Sequence, residues 1–530
     1  MKRWNGWGDK AKNFPLPPPA GQFLEKELGA GTTPRDASFE ESVAAVPFSR
    51  LPAHPLVSAD PADRLTHSTG HSLADWINIR GGTVPSFPDG VAYPASGEDV
   101  EKILQYAQNA GASVIPYGGG TSVVGHLAAP AGDRPVLTVD MTRLNGLTHI
   151  DPAGCLATFQ AGVRGPDLEA ALRAHGFTLG HFPQSFEYST LGGWVATRSA
   201  GQLSLGYGKI DRLFAGGTVK TPAGRLDLPP HPASAAGPDL RECILGSEGR
   251  LGIITRATVR ISPLPQTESF HAAFLPDQDR AIAAVRQMAQ SSVPLAMIRL
   301  SLAEETRTNL ILAGHSKLID LLNRWLSFRG VRGQKCMLIY GAAGSGKKVR
   351  WALRQASEII RQHRGVTVGE RPGREWLKNR FRAPYLRNSL WEAGYAVDTL
   401  ETATTWDRVP GTVEAIEKSL RHGLSDTGEK VHVFTHLSHV YPHGSSIYTT
   451  YLYRVAAGPE ETSRRWTALK SAASRAIVSM GGTISHQHGV GLDHLPYLEA
   501  EKGSLGMKMI RALCSALDPE SIMNPGKLLQ

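Results

Sequence analysis

Pro116-Tyr117-Gly118-Gly119-Gly120-Thr121-Ser122 follows the short apolar run Ser113-Val-Ile-Pro-Tyr117 and leads into Val123-Val124-Gly125-His126. Three successive glycines let backbone N–H groups converge on one anion without Cβ obstruction, and Thr121 and Ser122 add hydroxyls. Taken alone, the segment reads equally as a tight turn. Two companions in the same region tip the balance. Gln184-Ser185-Phe186-Glu187-Tyr188-Ser189-Thr190 runs into Leu191-Gly192-Gly193-Trp194-Val195-Ala196-Thr197-Arg198-Ser199-Ala200-Gly201, and Gly246-Ser247-Glu248-Gly249-Arg250-Leu251-Gly252-Ile253-Ile254 follows some fifty residues later. Each combines close backbone approach with polar donors, which suits a long, phosphate-bearing cofactor.

The surrounding pattern is α+β. Val100, Ile103, Leu104 and Ala107 keep helical spacing after Ser96, a candidate N-cap, and Gly111 stands where that helix must stop. Strand-like runs recur at 113–117, 136–139, 156–159, 216–220 and 253–261, with a helix near 167–175. Residues 88–265 form one domain on this reading. Helical patterns at 279–290, 348–363, 413–422 and 461–480 alternate with apolar strands such as 336–340 and make a second α+β domain over 266–500. Residues 501–530 are expected to return to the first domain. Residues 1–87 read as an N-terminal arm with helices, in which Pro15-Leu-Pro-Pro-Pro19 is an extended connector.

The chain has 530 residues and 41% hydrophobic content, enough for several cores. Its net charge of +9 is scattered rather than gathered into a tail or stripe, which argues against a nucleic-acid partner. Four cysteines lie far apart, without C-x-x-C, and no apolar run reaches the length of a membrane span. The polar opening lacks the apolar segment of a secretory signal, so the reading is cytoplasmic, with no signal peptide or transmembrane segment.

Gly341-Ala-Ala-Gly-Ser-Gly346-Lys347-Lys348 nearly satisfies G-x-x-x-x-G-K-[ST], but Lys348 replaces the hydroxyl that would hold Mg²⁺. A basic P-loop-like NTPase is therefore a remote alternative. No G-x-G-x-x-G fingerprint is present. His432, His436, His439 and His443 invite a zinc reading, but Pro442 interrupts the spacing and no thiolate accompanies them. No metal is expected.

Together the glycine blocks resemble the flavin domain of the vanillyl-alcohol oxidase (PCMH-type) superfamily. Within it the chain resembles most the alkyldihydroxyacetonephosphate synthase (alkylglycerone-phosphate synthase) family. That likeness runs through Arg3-Trp-Asn-Gly-Trp-Gly-Asp9, Phe381-Arg-Ala-Pro-Tyr-Leu-Arg387, Gly444-Ser-Ser-Ile-Tyr448, Gly481-Gly-Thr-Ile-Ser-His486-Gln487-His488-Gly489-Val-Gly491, and Leu517-Asp-Pro519 with Asn524-Pro525-Gly526. The resemblance implies a two-domain flavoprotein with an FAD-binding domain and a substrate cap. It further implies exchange of the acyl chain of acyl-dihydroxyacetone phosphate for a long-chain fatty alcohol, with flavin N5 holding the three-carbon unit and no net oxidation.

On that likeness, cofactor contacts fall to Pro116, Tyr117, Gly118, Gly119, Gly120, Thr121, Ser122, Gln184, Ser185, Ser189, Thr190, Gly192, Gly193, Thr197, Arg198, Ser199, Ala200, Glu248, Gly249, Leu251, Gly252, Ile253 and Ile254. Tyr448 matches the catalytic tyrosine, Arg387 the substrate arginine and Arg299 a second required arginine, whose apolar run implies a buried partner such as the flavin or the substrate anion. His486 and His488 flank Gln487 where the family commonly shows three histidines. In a strand the outer pair would share a face. Thr121 stands where many superfamily members carry a flavin-linking histidine, so noncovalent FAD is expected. The lipid substrates imply peripheral contact with a membrane surface, and homodimerisation is left open. The alternative within flavoenzymes is an FAD-dependent 2-hydroxyacid dehydrogenase of the same superfamily. Its His-x-Gly-Asp-Gly-Asn type metal segment is absent here.

Overall fold

In the computed structural model the described residues are 2–312 and 316–529. The strand Ser113–Tyr117 pairs in parallel with Val136–Asp140, which continues through Gly90–Ala92 to Val57–Ser58 as a four-stranded sheet. Helix Gly97–Asn109 covers it. Ser96 and Asp99 cap its N-terminus reciprocally, its apolar face at Val100, Ile103, Leu104 and Ala107 is buried, and Gly111 ends it with φ +59°. The sheet edge therefore delivers the chain at Tyr117 directly into the glycine segment.

A five-stranded sheet in the order Leu147–Asp151, Leu156–Gln160, Ile253–Arg260, Phe214–Thr221, Gly224–Leu228 completes the first domain. Residues 522–524 run beside the strand Ser113–Tyr117. The Val114 N–H donates to Ile522 O, and the Asn524 N–H donates to Val114 O, each at 2.7 Å. The Pro15–Pro19 connector is shorter than expected, because Pro18 and Pro19 open helix Pro18–Leu28 at positions where a missing N–H costs nothing. Short helices Phe39–Ala44, Pro61–Thr66 and Leu73–Gly81 follow, two of them with capping boxes at Ser38 and Ser72.

The second domain is built on an eight-stranded sheet. Its path runs Val366–Gly369, Thr267–Leu275, Cys336–Gly344, Met297–Ser301, His432–Leu437, Gly444–Arg454 and Tyr395–Thr405, with Val440–Tyr441 paired to Gly444–Arg454. The long pairing of Tyr395–Thr405 with Gly444–Arg454 sets Glu401 opposite Tyr448, and His436 faces Tyr448 from the other neighbour. Gly341 lies inside a strand, where a Cβ would stand 2.1 Å from the Phe270 ring, and the strand runs to Gly344 before Ser345 caps helix Gly346–Gln362. Glycine serves sheet packing there rather than a phosphate loop.

Candidate functional site

One cavity of about 900 Å³ joins the two domains. At its first-domain end lie Gly118 to Ser122, where the N–H groups of Gly119, Gly120, Thr121 and Ser122 have no protein acceptor among the described residues. Gly119 and Gly120 are buried. A Cβ on Gly119 would sit 1.9 Å from the Tyr188 carbonyl oxygen, so glycine is what lets the loop close on the Gln184–Thr190 segment. Gly120 has φ +72°. Buried, unpaired N–H groups on a left-handed turn are a nest for an anion, so this end fits the pyrophosphate of FAD. Thr121 lines the cavity with no histidine in its place.

The cavity wall contains every expected cofactor residue except two. Leu251 is 4% exposed and packs in the apolar core of the first domain. Arg198, at φ +51°, turns away to pair with Glu242 and donates to Leu245 O at 3.0 Å. Glu248 borders the cavity, but its carboxylate accepts from the backbone N–H groups of Val490 and Gly491 and faces His126 at 3.1 Å. It fastens the 489–491 turn to the first domain.

Tyr448 stands at the cap end of the same cavity. His436 stacks on it with ring centroids 4.7 Å apart, and His488 meets it edge-on at 6.0 Å. Burial raises the Tyr448 phenol well above its ordinary value, so it rests protonated; a hydrogen bond with Thr399 and the charge of Arg387 act in the opposite sense. Arg387 ties the cap to the N-terminal arm, donating to His71 O at 2.5 Å and Val397 O at 3.3 Å, 3.6 Å from Asp398 and over the Trp76 ring.

The buried partner of Arg299 is Glu305, at 2.6 Å, with Ser301 Oγ at 2.7 Å and His436 Nδ1 at 3.2 Å. Burial opposes ionisation of Glu305, yet Arg299 and His436 hold its carboxyl down at about 2. A charged partner six residues on, across a strand-to-helix turn, replaces the flavin or substrate anion expected for that role.

The 481–491 segment is turn rather than strand, which corrects the expected shared face of His486 and His488. His488 lines the reaction cavity. His486 instead borders a wide cleft on the other side, with Gln487 reaching both. All three turn toward Glu401: His486 Nδ1 lies 3.0 Å away, His488 Nε2 3.9 Å away, and the Gln487 amide donates to the carboxylate. Glu401 is 1% exposed, and despite its burial these partners keep its carboxyl below the usual range.

Glu401, His439 and His486 place ligand-type atoms within 4.8 Å of one another. The nitrogens turned away from the cluster have protein partners, whereas Glu401 Oε1 and His486 Nδ1 are buried without a hydrogen bond among the described residues. Tyr441 Oη is 2.6 Å from His486 Nε2, Ser204 Oγ is 3.0 Å from His439 Nδ1, and burial pushes His439 down to about 3. His432 lies farther out, 3.0 Å from Thr308, and His443 stands beside Tyr441. The acidic members of the site, Glu305, Asp398 and Glu401, gave no signal in the sequence, since each meets its partners only through sheet pairing or a turn.

From the polar centre the cavity continues along apolar side chains, among them Phe14, Leu16, Phe23, Leu24, Leu386 and Leu390. The N-terminal arm thus forms part of its wall.

Residues 88–227 match the FAD binding domain family, and residues 264–528 match the C-terminal domain of FAD linked oxidases. A Dictyostelium discoideum protein named alkyldihydroxyacetonephosphate synthase is 29% identical over 99% of this chain and 93% of its own length. A Caenorhabditis elegans protein of the same name is 30% identical over 88% of this chain and 80% of its own. A solved alkyldihydroxyacetonephosphate synthase superposes with a TM-score of 0.84 at 28% identity, covering 99% of this chain and 98% of the other. With its FAD-binding and cap domains in this arrangement, the chain belongs to the alkyldihydroxyacetonephosphate synthase family of FAD-linked flavoproteins.

Proposed function

We propose that the protein exchanges the acyl chain of acyl-dihydroxyacetone phosphate for a long-chain fatty alcohol, forming an ether bond and releasing a fatty acid. The observation that carries this reading is the cavity that joins an anion nest, a polar centre with two arginines and a tyrosine, and an apolar arm lined by Phe14, Leu16, Phe23, Leu24, Leu386 and Leu390. A small 2-hydroxyacid would leave the apolar arm without a purpose.

FAD, when bound, supplies an electron-accepting ring system against which the three-carbon unit is exchanged without net oxidation. Gly118–Ser122 bind its pyrophosphate through backbone N–H groups, noncovalently. Arg387 offers its charge to the substrate's anionic head, with its plane fixed by the carbonyls of His71 and Val397. Arg299, pinned by Glu305, adds a second positive charge. Tyr448 moves the proton beside the ketone; as a neutral phenol it takes one proton while passing on its own, and His436 and His488 hold its ring in place. The apolar arm excludes water and aligns the alcohol.

The lipid substrates reside in bilayers, and a surface feature supports contact with one. Helix Ser316–Phe328 leaves Leu318, Leu321, Trp325 and Phe328 exposed at helical spacing, beside Lys317, Arg324 and Arg329. Leu312, at the end of the helix just before it, lines the cavity. Peripheral docking through this face would open the apolar arm toward lipid. Among the described residues no helix is long and apolar enough to cross a membrane.

The test is the visible spectrum of the purified protein, acid precipitation, and exchange of labelled fatty alcohol into acyl-dihydroxyacetone phosphate. Yellow colour released by acid and labelled ether are expected. Reduction of the flavin by 2-hydroxyacids without ether formation would favour the dehydrogenase.

A further inference from the structure

Glu401, His439 and His486 come together from three parts of the cap. Glu401 lies on the strand Tyr395–Thr405, His439 in the turn between His432–Leu437 and Val440–Tyr441, and His486 in the turn at 481–491. All three are buried, at 1%, 7% and 8% exposure. Glu401 Oε1 is 3.0 Å from His486 Nδ1 and 4.0 Å from His439 Nε2. The closer pair is misaligned for a hydrogen bond, so Glu401 Oε1 and His486 Nδ1 both stay without a hydrogen-bond partner among the described residues. Two buried polar atoms left unpaired at one point cost free energy unless something there satisfies them.

We propose that Glu401 Oε1, His439 Nε2 and His486 Nδ1 form a binding site for one divalent transition-metal ion of the zinc class.

Two imidazole nitrogens and one carboxylate oxygen are a three-ligand zinc set that leaves a fourth position open. Magnesium and calcium prefer oxygen ligands throughout. Zinc holds such atoms at about 2.0–2.2 Å, which puts neighbouring corners of a tetrahedron about 3.4 Å apart. The separations of 3.0 and 4.0 Å lie on either side of that value. His439 and His486 both line the wide cleft, so metal and water reach the open position from there.

The outward nitrogens are held as ligating histidines require. Tyr441 Oη stands 2.6 Å from His486 Nε2, and Ser204 Oγ stands 3.0 Å from His439 Nδ1. With its inner nitrogen on a metal, each ring carries its proton on the outer one and donates it to that hydroxyl. The Gln487 amide engages the other oxygen of Glu401, which fixes the carboxylate plane and leaves Oε1 for the metal. Lys209 reaches the His486 carbonyl at 3.5 Å and adds a positive charge nearby, which Asp211 offsets. Of the four histidines at 432–443 only His439 takes part, and its partners lie on other elements, so the spacing of that cluster carries no metal motif. A metal here fixes His486, and with it Gln487 and His488 on the wall of the reaction cavity. Its role is to position that turn, since zinc accepts no electron from a flavin.

The FAD-bound protein is dialysed against a chelator and titrated with zinc chloride alone, while bound zinc per chain and melting temperature are followed. One tightly bound zinc per chain, a raised melting temperature and no displacement by excess magnesium are expected. His439→Gln and Glu401→Gln should each abolish that binding and the thermal shift. His443→Ala, at an exposed position beside Tyr441, should leave both unchanged. Tyr441→Phe keeps all three ligands and removes the hydroxyl behind His486, so zinc affinity should fall roughly 10- to 100-fold.

Retained flavin absorbance establishes that the variants are folded. If His439→Gln and Glu401→Gln lose their flavin, Tyr441→Phe decides: weakened zinc binding supports the site, and wild-type affinity overturns it. A wild type that takes up no stoichiometric zinc overturns the site. Zinc uptake that folded His439→Gln and Glu401→Gln retain, or that His443→Ala alone removes, overturns it as well. None of these readouts uses ether formation, so the metal site stands or falls apart from the proposed reaction.

Discussion

The side-chain amide of Gln487 donates a hydrogen bond to the carboxylate of Glu401. Its carbonyl oxygen accepts from the Ala200 N–H at 3.1 Å, so one side chain ties the cap to the flavin domain at the bottom of the site. Glutamine fits this place because a neutral amide offers a donor to one side and an acceptor to the other.

Gln487→Glu replaces the donor with a second carboxylate against Glu401. Two buried carboxylates in contact cannot both stay ionised, so one must take a proton and its value rises. A group whose native value is raised contributes stability at low pH and loses it as pH climbs. The variant should therefore melt close to wild type near pH 5 and well below it near pH 8. Equal differences at both pH values would show that the amide does not face an ionised Glu401.

Glu305 and Arg299 give the opposite sign. The Glu305 value falls from an ordinary 4.5 to about 2 on folding. Its contribution is present above the unfolded value, and it is lost as pH falls from about 5 toward 2. That shift corresponds to on the order of 3 kcal/mol in neutral solution. Glu305→Gln leaves Arg299 buried beside a neutral partner, so it should destabilise the protein clearly in denaturant titrations at pH 6. The gap to wild type should narrow by pH 3, and a gap that stays constant would remove the ion pair as its cause.

Much of this scaffold is legible in the sequence, and the reasons are local. Ser96, the spacing of Val100, Ile103, Leu104 and Ala107, and Gly111 fix one helix because cap, stripe and stop all lie within sixteen residues. The glycine nest is legible for the same reason, since Gly118 to Ser122 form it by themselves. The carboxylates are not. Asp398 meets Lys470 across 72 residues, and Glu401 meets Gln487 across 86, through pairings that no periodicity announces. The triple glycine and the P-loop-like Gly341–Lys348 look alike on paper. They part only when Gly341 is seen inside a strand, against Phe270. Arg198 does not line the reaction cavity, because at its positive φ the side chain turns toward Glu242.

Arg387→Lys tests the head-group role. Lysine keeps the charge but loses the planar fork that holds His71 O and Val397 O. A raised KM for the acyl substrate is expected, together with a stability loss of about 1–3 kcal/mol from the vacated carbonyls. If denaturation shows the loss and KM does not move, Arg387 is a tie between the cap and the N-terminal arm and not a substrate ligand.

The exposed helix supplies a test away from the chemistry. Leu321→Ser with Trp325→Ser removes two apolar side chains from the surface, one 61% and the other 40% exposed, so the melting temperature should hardly change. Binding to vesicles containing anionic lipid should weaken by roughly tenfold or more, as the apolar contribution is lost. Added salt should weaken wild-type binding too, because it screens the neighbouring basic residues. Vesicle binding equal to wild type would place the membrane contact elsewhere.

Tyr448→Phe bears on the central step. Phenylalanine preserves the ring that stacks on His436 at 4.7 Å and meets His488, so flavin colour and stability should stay near wild type. Only the hydroxyl is lost. If that hydroxyl moves the proton beside the ketone, ether formation should fall by roughly two orders of magnitude or more, and bleaching of the flavin by acyl substrate alone should vanish. Tyr453→Phe is the matched control. Its hydroxyl points instead at Thr462 O, 3.4 Å away in the core, and its ring is fully buried outside the reaction cavity. The control should bleach and turn over normally, at the cost of a weak hydrogen bond in stability. Normal turnover in both variants would reduce Tyr448 to a packing residue; equal loss in both would trace the effect to the strand they share. A Tyr448→Phe protein that bleaches but forms no ether would move the tyrosine from the first proton transfer to the step in which the alcohol gives up its own.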